Sequence, residues 1–208
     1  MKPDSLIEPA FSPAAERNKQ PILEVLRQVL PTQGAALEIA SGTGQHMAWF
    51  AQHLPDWTWQ PTDAQVAALD SVMARIAQNA LHNVHAPLLL DVMSPAWLPS
   101  DTQTFDAIYC ANMLHIAPWA TCAALMQGSA RHLSPEGLLI TYGPYLEDTV
   151  ETARGNQHFD HDLRLQDPQW GLRRREDVEV VAAQAGLRLH QRFALPANNL
   201  LLVWTRTP

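Results

Sequence analysis

Apolar residues along this chain alternate between helical spacing and short unbroken blocks. Ile22, Leu23, Leu26, Val29 and Leu30 share one helical face between Pro21 and Pro31, which predicts a helix over that stretch. Ahead of it Pro3, Pro9 and Pro13 space out an extended lead. Ser12-Pro13 offers a cap and a first turn for a separate short helix over 14–19, so residues 1–31 read as an N-terminal helical lead. Strands are predicted at 35–40, 57–61, 87–90, 105–110 and 138–142, and helices at 45–54, 65–80, 119–133 and 174–185. In the 65–80 helix Val66, Leu69, Met73, Ile76 and Ala80 line the face expected to be buried, and Gly128 interrupts the 119–133 helix. Ser134-Pro135-Glu136-Gly137 reads as a turn, and Gly186 stops the last helix. The chain closes with two strands, 187–195 and 200–206, joined as a hairpin by Pro196-Ala197-Asn198-Asn199. Residues 143–173 show no period and read as a long irregular segment. Because it holds Asn156, Phe159, Asp160, Arg164, Asp167 and Trp170, an ordered cover on the substrate side is expected.

Strand–helix alternation of this kind predicts an α/β protein with a Rossmann-like, mostly parallel sheet in a three-layer sandwich. Its diagnostic stretch is Ala35-Ala36-Leu37-Glu38-Ile39-Ala40-Ser41-Gly42-Thr43-Gly44-Gln45-His46: an apolar strand, an acidic residue, a loop with two glycines, then a helix start. Glycine lets such a loop turn sharply and approach a ligand, and the helix start presents free N–H groups to it. The nicotinamide fingerprint G-x-G-x-x-G fails, because Met47 stands where the third glycine is required. The template acidic-x-G-x-G-x-G, the first motif of class I S-adenosylmethionine methyltransferases, fits Glu38, Gly42 and Gly44, with Ala40 in place of the first glycine.

Composition narrows the picture. The 208 residues are 47% hydrophobic and 17% charged, which suits one domain, 1–208, with a sizeable core. The net charge of −7 argues against a nucleic-acid surface, and Arg173-Arg174-Arg175 reads as a solvated face. Cys110 and Cys122 lie in apolar sequence as reduced core thiols of a cytoplasmic protein, and no signal core or membrane-length apolar run is expected.

The remaining candidates sit at strand tips. Asp63, past the second strand, either accepts hydrogen bonds from two ribose hydroxyls or caps the next helix. Asp91 either accepts from an adenine amino group, with the Val92 N–H donating to a ring nitrogen, or serves a turn before Ser94-Pro95. Asn112 and His115 follow the fourth strand, where open α/β sheets place chemistry. His115 is a candidate general base, its ordinary pKa lying near neutral, or else a packed histidine. Tyr142 and Tyr145 are candidates for orienting a substrate. Arg17 pairs with a cofactor carboxylate or a substrate acid, or is a surface arginine. Of the nine histidines, His82 with His85 and His158 with His161 have pair spacing, but neither comes with cysteines or H-E-x-x-H, and no metal site is expected.

With Glu38 to Gly44, Asp63, Asp91 and Asn112 in order and a closing hairpin, the chain resembles the class I S-adenosylmethionine-dependent methyltransferases. More narrowly, Ser12-Pro13-Ala14-Ala15-Glu16-Arg17-Asn18-Lys19, residues 37–46 and Asp167-Pro168-Gln169-Trp170-Gly171-Leu172-Arg173 resemble the methyltransferase-like protein twenty-six group, a former domain of unknown function. The resemblance implies a seven-stranded sheet in the order 3-2-1-4-5-7-6 with strand 7 antiparallel. It also implies S-adenosyl-L-methionine as cofactor and S-adenosyl-L-homocysteine as product. The sites it implies are Glu38, Ala40, Gly42, Gly44, Asp63, Asp91, Val92 and Asn112. Absence of Asn-Pro-Pro-Tyr after the fourth strand points away from nucleobase amino groups and toward a small oxygen, sulfur, nitrogen or carboxyl acceptor. A monomer or homodimer is expected. A non-catalytic cofactor-binding protein of the same fold is the alternative.

Overall fold

The computed structural model describes residues 8–100 and 102–207, so the part of the expected lead at residues 1–7, Pro3 included, lies outside the described residues. Contacts group the chain into two compact units, Met1–Asp91 and Val92–Pro208. The strands form one sheet in the order β3-β2-β1-β4-β5-β7-β6. Pairs β1–β2, β2–β3 and β4–β5 are parallel, and β7 runs antiparallel to both β5 and β6. This is the expected order and the expected direction of the closing strand.

The first unit holds α1 (Pro13–Val29), β1 (Gly34–Ile39), α2 (Gln45–His53), β2 (Trp57–Asp63), α3 (Val66–Gln78) and β3 (Leu88–Leu89). Its core is built from Ile22, Leu23 and Leu26 of α1, Leu37 and Ile39 of β1, Met47 and Phe50 of α2, and Trp57 and Trp59 of β2. The two helices expected over 14–30 are one. Ser12 caps it, its hydroxyl accepting from the Ala15 N–H at 3.3 Å, and Pro21 lies inside it. Proline removes one ladder bond, and the apolar face that starts directly after it keeps the helix packed. The face expected to be buried in α3 is corrected: Val66 and Met73 are 63% and 47% exposed, whereas Ser71 and Val72 are buried. Polar demands of the neighbouring loop, described below, turn the helix that way. β3 is an edge strand of two residues, and such short edges offer little to a pairing partner.

The second unit holds β4 (Phe105–Ala111), α4 (Ala120–His132), β5 (Leu133–Gly143), α5 (Arg154–Gln166), α6 (Arg175–Gln184), β6 (Leu187–Leu195) and β7 (Asn199–Arg206). β5 starts earlier than expected. Leu133 pairs with Phe105 and Leu138 with Ala107, so the turn read at 134–137 is a bulge within a longer strand. The segment 143–173 is not irregular throughout, because α5 occupies its middle. Only Asn156 and Leu163 of α5 are buried, which is why no apolar period announces it. The hairpin tip anchors it instead: the Ala153 N–H donates to Asn198 Oδ1 (3.2 Å) and Asn156 Nδ2 to the Asn198 carbonyl (3.0 Å). Gly128, the flaw in α4, lies under the Trp97 indole, which donates to the Val92 carbonyl at 3.0 Å and stacks on His132.

Candidate functional site

In the first unit the loop leaving β1 is shaped by three left-handed residues, Ala40 (φ 56°), Gly42 (φ 54°) and Gly44 (φ 71°). Gly44 packs against α3, where a Cβ would stand 3.2 Å from Val72 Cγ2. On Gly42 the nearest atom to an added Cβ is the Ala40 carbonyl oxygen at 4.0 Å, so its outer face is open. Ala40 therefore takes a conformation that glycine adopts freely and that costs an L-residue about 1–2 kcal/mol. Ala40→Gly is expected to raise stability by about 0.5–1 kcal/mol, after about 0.4–1 kcal/mol is returned to the freer unfolded chain. Thermal unfolding should shift upward by about 2–3 °C, and an unchanged or lower midpoint would contradict strain at this position.

Two carboxylates flank the loop. Asp63, at the end of β2, accepts from the Gly42 N–H on Oδ2 and the Gln65 N–H on Oδ1, both at 2.9 Å. It thus ties the loop to the residue that precedes α3. Each oxygen retains a lone pair, so this capping leaves room for ribose hydroxyls. Glu38 is 2% exposed and its Oε2 has no hydrogen-bond partner. Burial pushes its pKa up to about 8, Asp63's charge adds to the rise, and hydrogen bonds from Ser41 and the Met47 N–H work against it. Asp91 is exposed just beyond β3, where the Leu90 N–H bonds the Asp63 carbonyl at 2.9 Å.

The Ser12–Lys19 segment meets the loop directly. Gln45 Oε1 accepts from the Ser12 N–H (2.6 Å) and the Thr43 hydroxyl (3.0 Å), while Gln45 Nε2 donates to Glu16 (3.1 Å). His46 Nε2 lies 2.6 Å from Asn18 Oδ1; burial, with Lys19 nearby, pushes the imidazole down to about 4, so the neutral ring donates. Arg17 is exposed between these docking residues. Sequence reasoning missed Ser71 and Arg75 of α3. Arg75 Nε donates to the Thr43 carbonyl (2.8 Å) and Nη2 to the Ala10 carbonyl (2.5 Å). Ser71 Oγ accepts from the Ala10 N–H (2.8 Å) and donates to the Thr43 carbonyl (3.3 Å). Their four-residue spacing on a helix was legible, but the partner, a backbone carbonyl of a distant loop, was not.

In the second unit Asn112 follows β4 in the left-handed region (φ 60°), its N–H donating to the Tyr142 carbonyl at 2.8 Å. Val92 is buried, and its carbonyl is the one that holds Trp97. His115 is 1% exposed, and neither ring nitrogen has a hydrogen-bond partner among the described residues. Burial, reinforced by Arg173, pushes its pKa down to about 3, so the imidazole is neutral. Its ring meets the Tyr145 edge at 5.0 Å, and a Cβ on residue 143 would fall 2.2 Å from Nε2, so only glycine leaves space there. Tyr142 and Tyr145 are both buried. Burial raises the Tyr145 phenol above its ordinary range, and its hydroxyl shares a hydrogen bond with Thr141.

The reading of 173–175 as a solvated basic face holds for the exposed Arg174 and is corrected for the half-buried Arg173 and Arg175. Arg173 donates to the Leu114, Ala117 and Gln169 carbonyls at 2.7–2.8 Å, and the Gly171 N–H bonds the His115 carbonyl at 2.9 Å. Residues 169–173 are thereby pinned to the turn that carries His115. Arg174 pairs with Asp148 and Asp177, and Arg175 with Glu147, Glu176 and Glu179. Among the described residues no group of three or more His, Cys, Asp or Glu side chains could hold a metal ion, and no helix is long and apolar enough to cross a membrane. Both cysteines are buried, and among the described residues neither forms a disulfide.

The model of a family described as "Protein of unknown function (DUF938)" matches residues 9–206. Among solved structures the fold resembles an O-methyltransferase family protein from Burkholderia thailandensis, with a TM-score of 0.77 and 17% identity over 93% of this chain and 57% of that one. It also resembles the mitomycin 7-O-methyltransferase MmcR, with a TM-score of 0.79 and 13% identity over 92% of this chain and 54% of that one. A third is CalO1, a methyltransferase in calicheamicin biosynthesis, in its S-adenosylhomocysteine-bound form, with a TM-score of 0.73 and 14% identity over 93% and 54%. The chain spans little more than half the length of these structures.

Proposed function

Because this chain belongs to the DUF938 family of proteins of unknown function and shares its sheet with methyltransferases, we propose that it transfers a methyl group from S-adenosylmethionine to a small-molecule acceptor. The observation that carries the reading is the pairing of loop and carboxylate in the first unit. Asp63 is held by the Gly42 N–H with acceptor capacity to spare, beside an open glycine face and the orphaned Glu38 Oε2. Such a set fits an adenosyl group bearing a ribose diol and a positive charge.

When bound, S-adenosylmethionine supplies a methyl group already activated on a cationic sulfur, and S-adenosylhomocysteine is the product. The protein's share is to hold and align. Asp63 takes the ribose hydroxyls, the 40–44 loop supports the methionine end, and Asp91 and the Val92 N–H serve the adenine. Asn112 is the cofactor candidate just past the end of β4 in the second unit, and Arg17 is the candidate for the cofactor carboxylate. On the acceptor side, neutral His115 can accept a hydrogen bond, and its lowered pKa makes it a weak base. It therefore suits an acceptor whose proton is already acidic or absent. Tyr145, bonded to Thr141, supports the His115 ring, and Tyr142 lies beneath the Asn112 turn. A small acceptor rather than nucleic acid or membrane agrees with the net charge of −7. A cytoplasmic monomer or homodimer completes the proposal.

Kinship with the methyltransferase-like protein twenty-six group is proposed on the same footing. Its first two segments meet through Ser12, Glu16, Asn18, Gln45 and His46, and its third is pinned to the His115 turn. Weak basicity at His115 also favours a second reading, a protein that binds the cofactor without turnover. Calorimetric titration with S-adenosylmethionine tests the shared premise: micromolar binding is expected, and no heat at millimolar ligand would remove both readings. Transfer of a labelled methyl group to a pool of small acceptors then separates them.

A further inference from the structure

The two carboxylates beside the glycine loop are treated unequally. Asp63 receives two backbone N–H bonds, from Gly42 and Gln65. Glu38 sits deeper, 2% exposed, with Oε2 bonded to nothing and a carboxylate as neighbour. A buried anion with an unsatisfied oxygen next to a second anion is costly, so the loop without ligand holds Glu38 as the uncharged acid.

Among the described residues no cation acts on Glu38, Arg17 included. Arg75 of α3 is committed to the Thr43 and Ala10 carbonyls, and Lys19 of α1 is paired with Glu16. His46 of α2 is neutral on Asn18. Among the described residues Asp63 of β2 is the charged side chain that acts on Glu38, and it acts to keep the proton on. Glu38 therefore lacks a positive partner among the described residues, a place that a cationic ligand fits.

We propose that Glu38 reads the charge of the ligand: protonated in the ligand-free loop, it gives its proton to solvent when a cation settles beside Oε2. The inference rests on the cofactor assignment above and adds to it a charge test at one residue. The step is an ionisation alone, in which the Glu38 O–H bond breaks, the proton leaves to buffer, and the carboxylate stays paired with the ligand's positive charge. A neutral adenosyl compound would occupy the same loop without this gain. The sign follows: ligand affinity rises with pH while free Glu38 is protonated, and levels off above the free protein's pKa of about 8.

The test is calorimetric titration of the full chain at pH 6.5, in buffers of low and high ionisation enthalpy. At that pH the ligand's own ammonium, ordinarily about 7.7–8.0, remains protonated and contributes nothing. S-adenosylmethionine is expected to release close to one proton, and its affinity to rise about tenfold per pH unit between pH 6 and 7. Adenosine, which carries no cation, is expected to release none. Glu38→Gln is expected to bind S-adenosylmethionine with no proton exchange and a flat pH profile. S-adenosylmethionine binding to the wild type without proton release would overturn the inference, as would equal release with adenosine. Both wild-type results stand even if the variant fails to fold. Failure of S-adenosylmethionine to bind at all sinks the cofactor assignment itself, which the other outcomes leave intact.

Discussion

Asp63→Ala is expected to weaken S-adenosylmethionine binding by about 100- to 10,000-fold. Two hydroxyl-to-carboxylate hydrogen bonds, each worth about 1.5–3 kcal/mol, would be lost together. The variant also removes the acceptor for the Gly42 and Gln65 N–H groups. Part of the loss would then reflect a loosened loop, at about 1 kcal/mol for each abandoned donor. Asp63→Asn separates the two effects. Its single amide oxygen can still receive the Gly42 N–H, but its NH2 cannot accept from a hydroxyl. Binding should fall with Asn by at least about tenfold, while the thermal midpoint falls less than with alanine, because one of the two N–H bonds is kept. An alanine variant that folds and binds within threefold of wild type would remove Asp63 from the cofactor site.

The second large effect is on stability. Gly128→Ala should cost about 2–3 kcal/mol, although alanine favours a helix by about 1 kcal/mol over glycine. The added carbon would lie 2.0 Å from Trp97 Cζ2 and 2.2 Å from Cε2. The indole has nowhere to go: it is 4% exposed, hydrogen-bonded to the Val92 carbonyl and stacked on His132. Thermal unfolding should drop by about 5–10 °C, and tryptophan fluorescence should change as the ring shifts. In a Trp97→Leu background the same alanine should cost little, since the clash is gone. A single-variant loss below about 0.5 kcal/mol would show that the helix yields where the structure says it cannot.

Glu38, Gly42, Gly44 and Asp63 were legible in the sequence because each belongs to a local pattern: an apolar run ending in an acid, two glycines, a strand tip. The sheet order followed from the closing hairpin and the resemblance together. Contacts whose partners are backbone carbonyls far along the chain stayed hidden. Arg173 looked like one of three solvated arginines, and nothing in its neighbourhood announces the Leu114 and Ala117 carbonyls it holds. Ser71 and Arg75 read as the wet side of an amphipathic helix, because periodicity ranks positions by hydrophobicity and cannot weigh the demand of a distant polar loop. α5 was invisible for a related reason. Its buried face contains a single apolar side chain, Leu163, and its anchor is the amide of Asn198. Gly128 was noticed as a flaw in a helix, but the indole that needs it lies in a segment of no regular structure.

Arg75 and Ser71 each reach both Thr43 and Ala10, so the shape of the glycine turn is not a local property of residues 40–44. It is shared with the beginning of the chain. A protease cut, a fused tag or an early start codon that removes or drags on the stretch before Ser12 would be felt at those glycines with no change inside the loop. Differences in ligand affinity between preparations that differ ahead of Ser12 would then have a mechanical origin, and restoring residues 8–11 would reverse them.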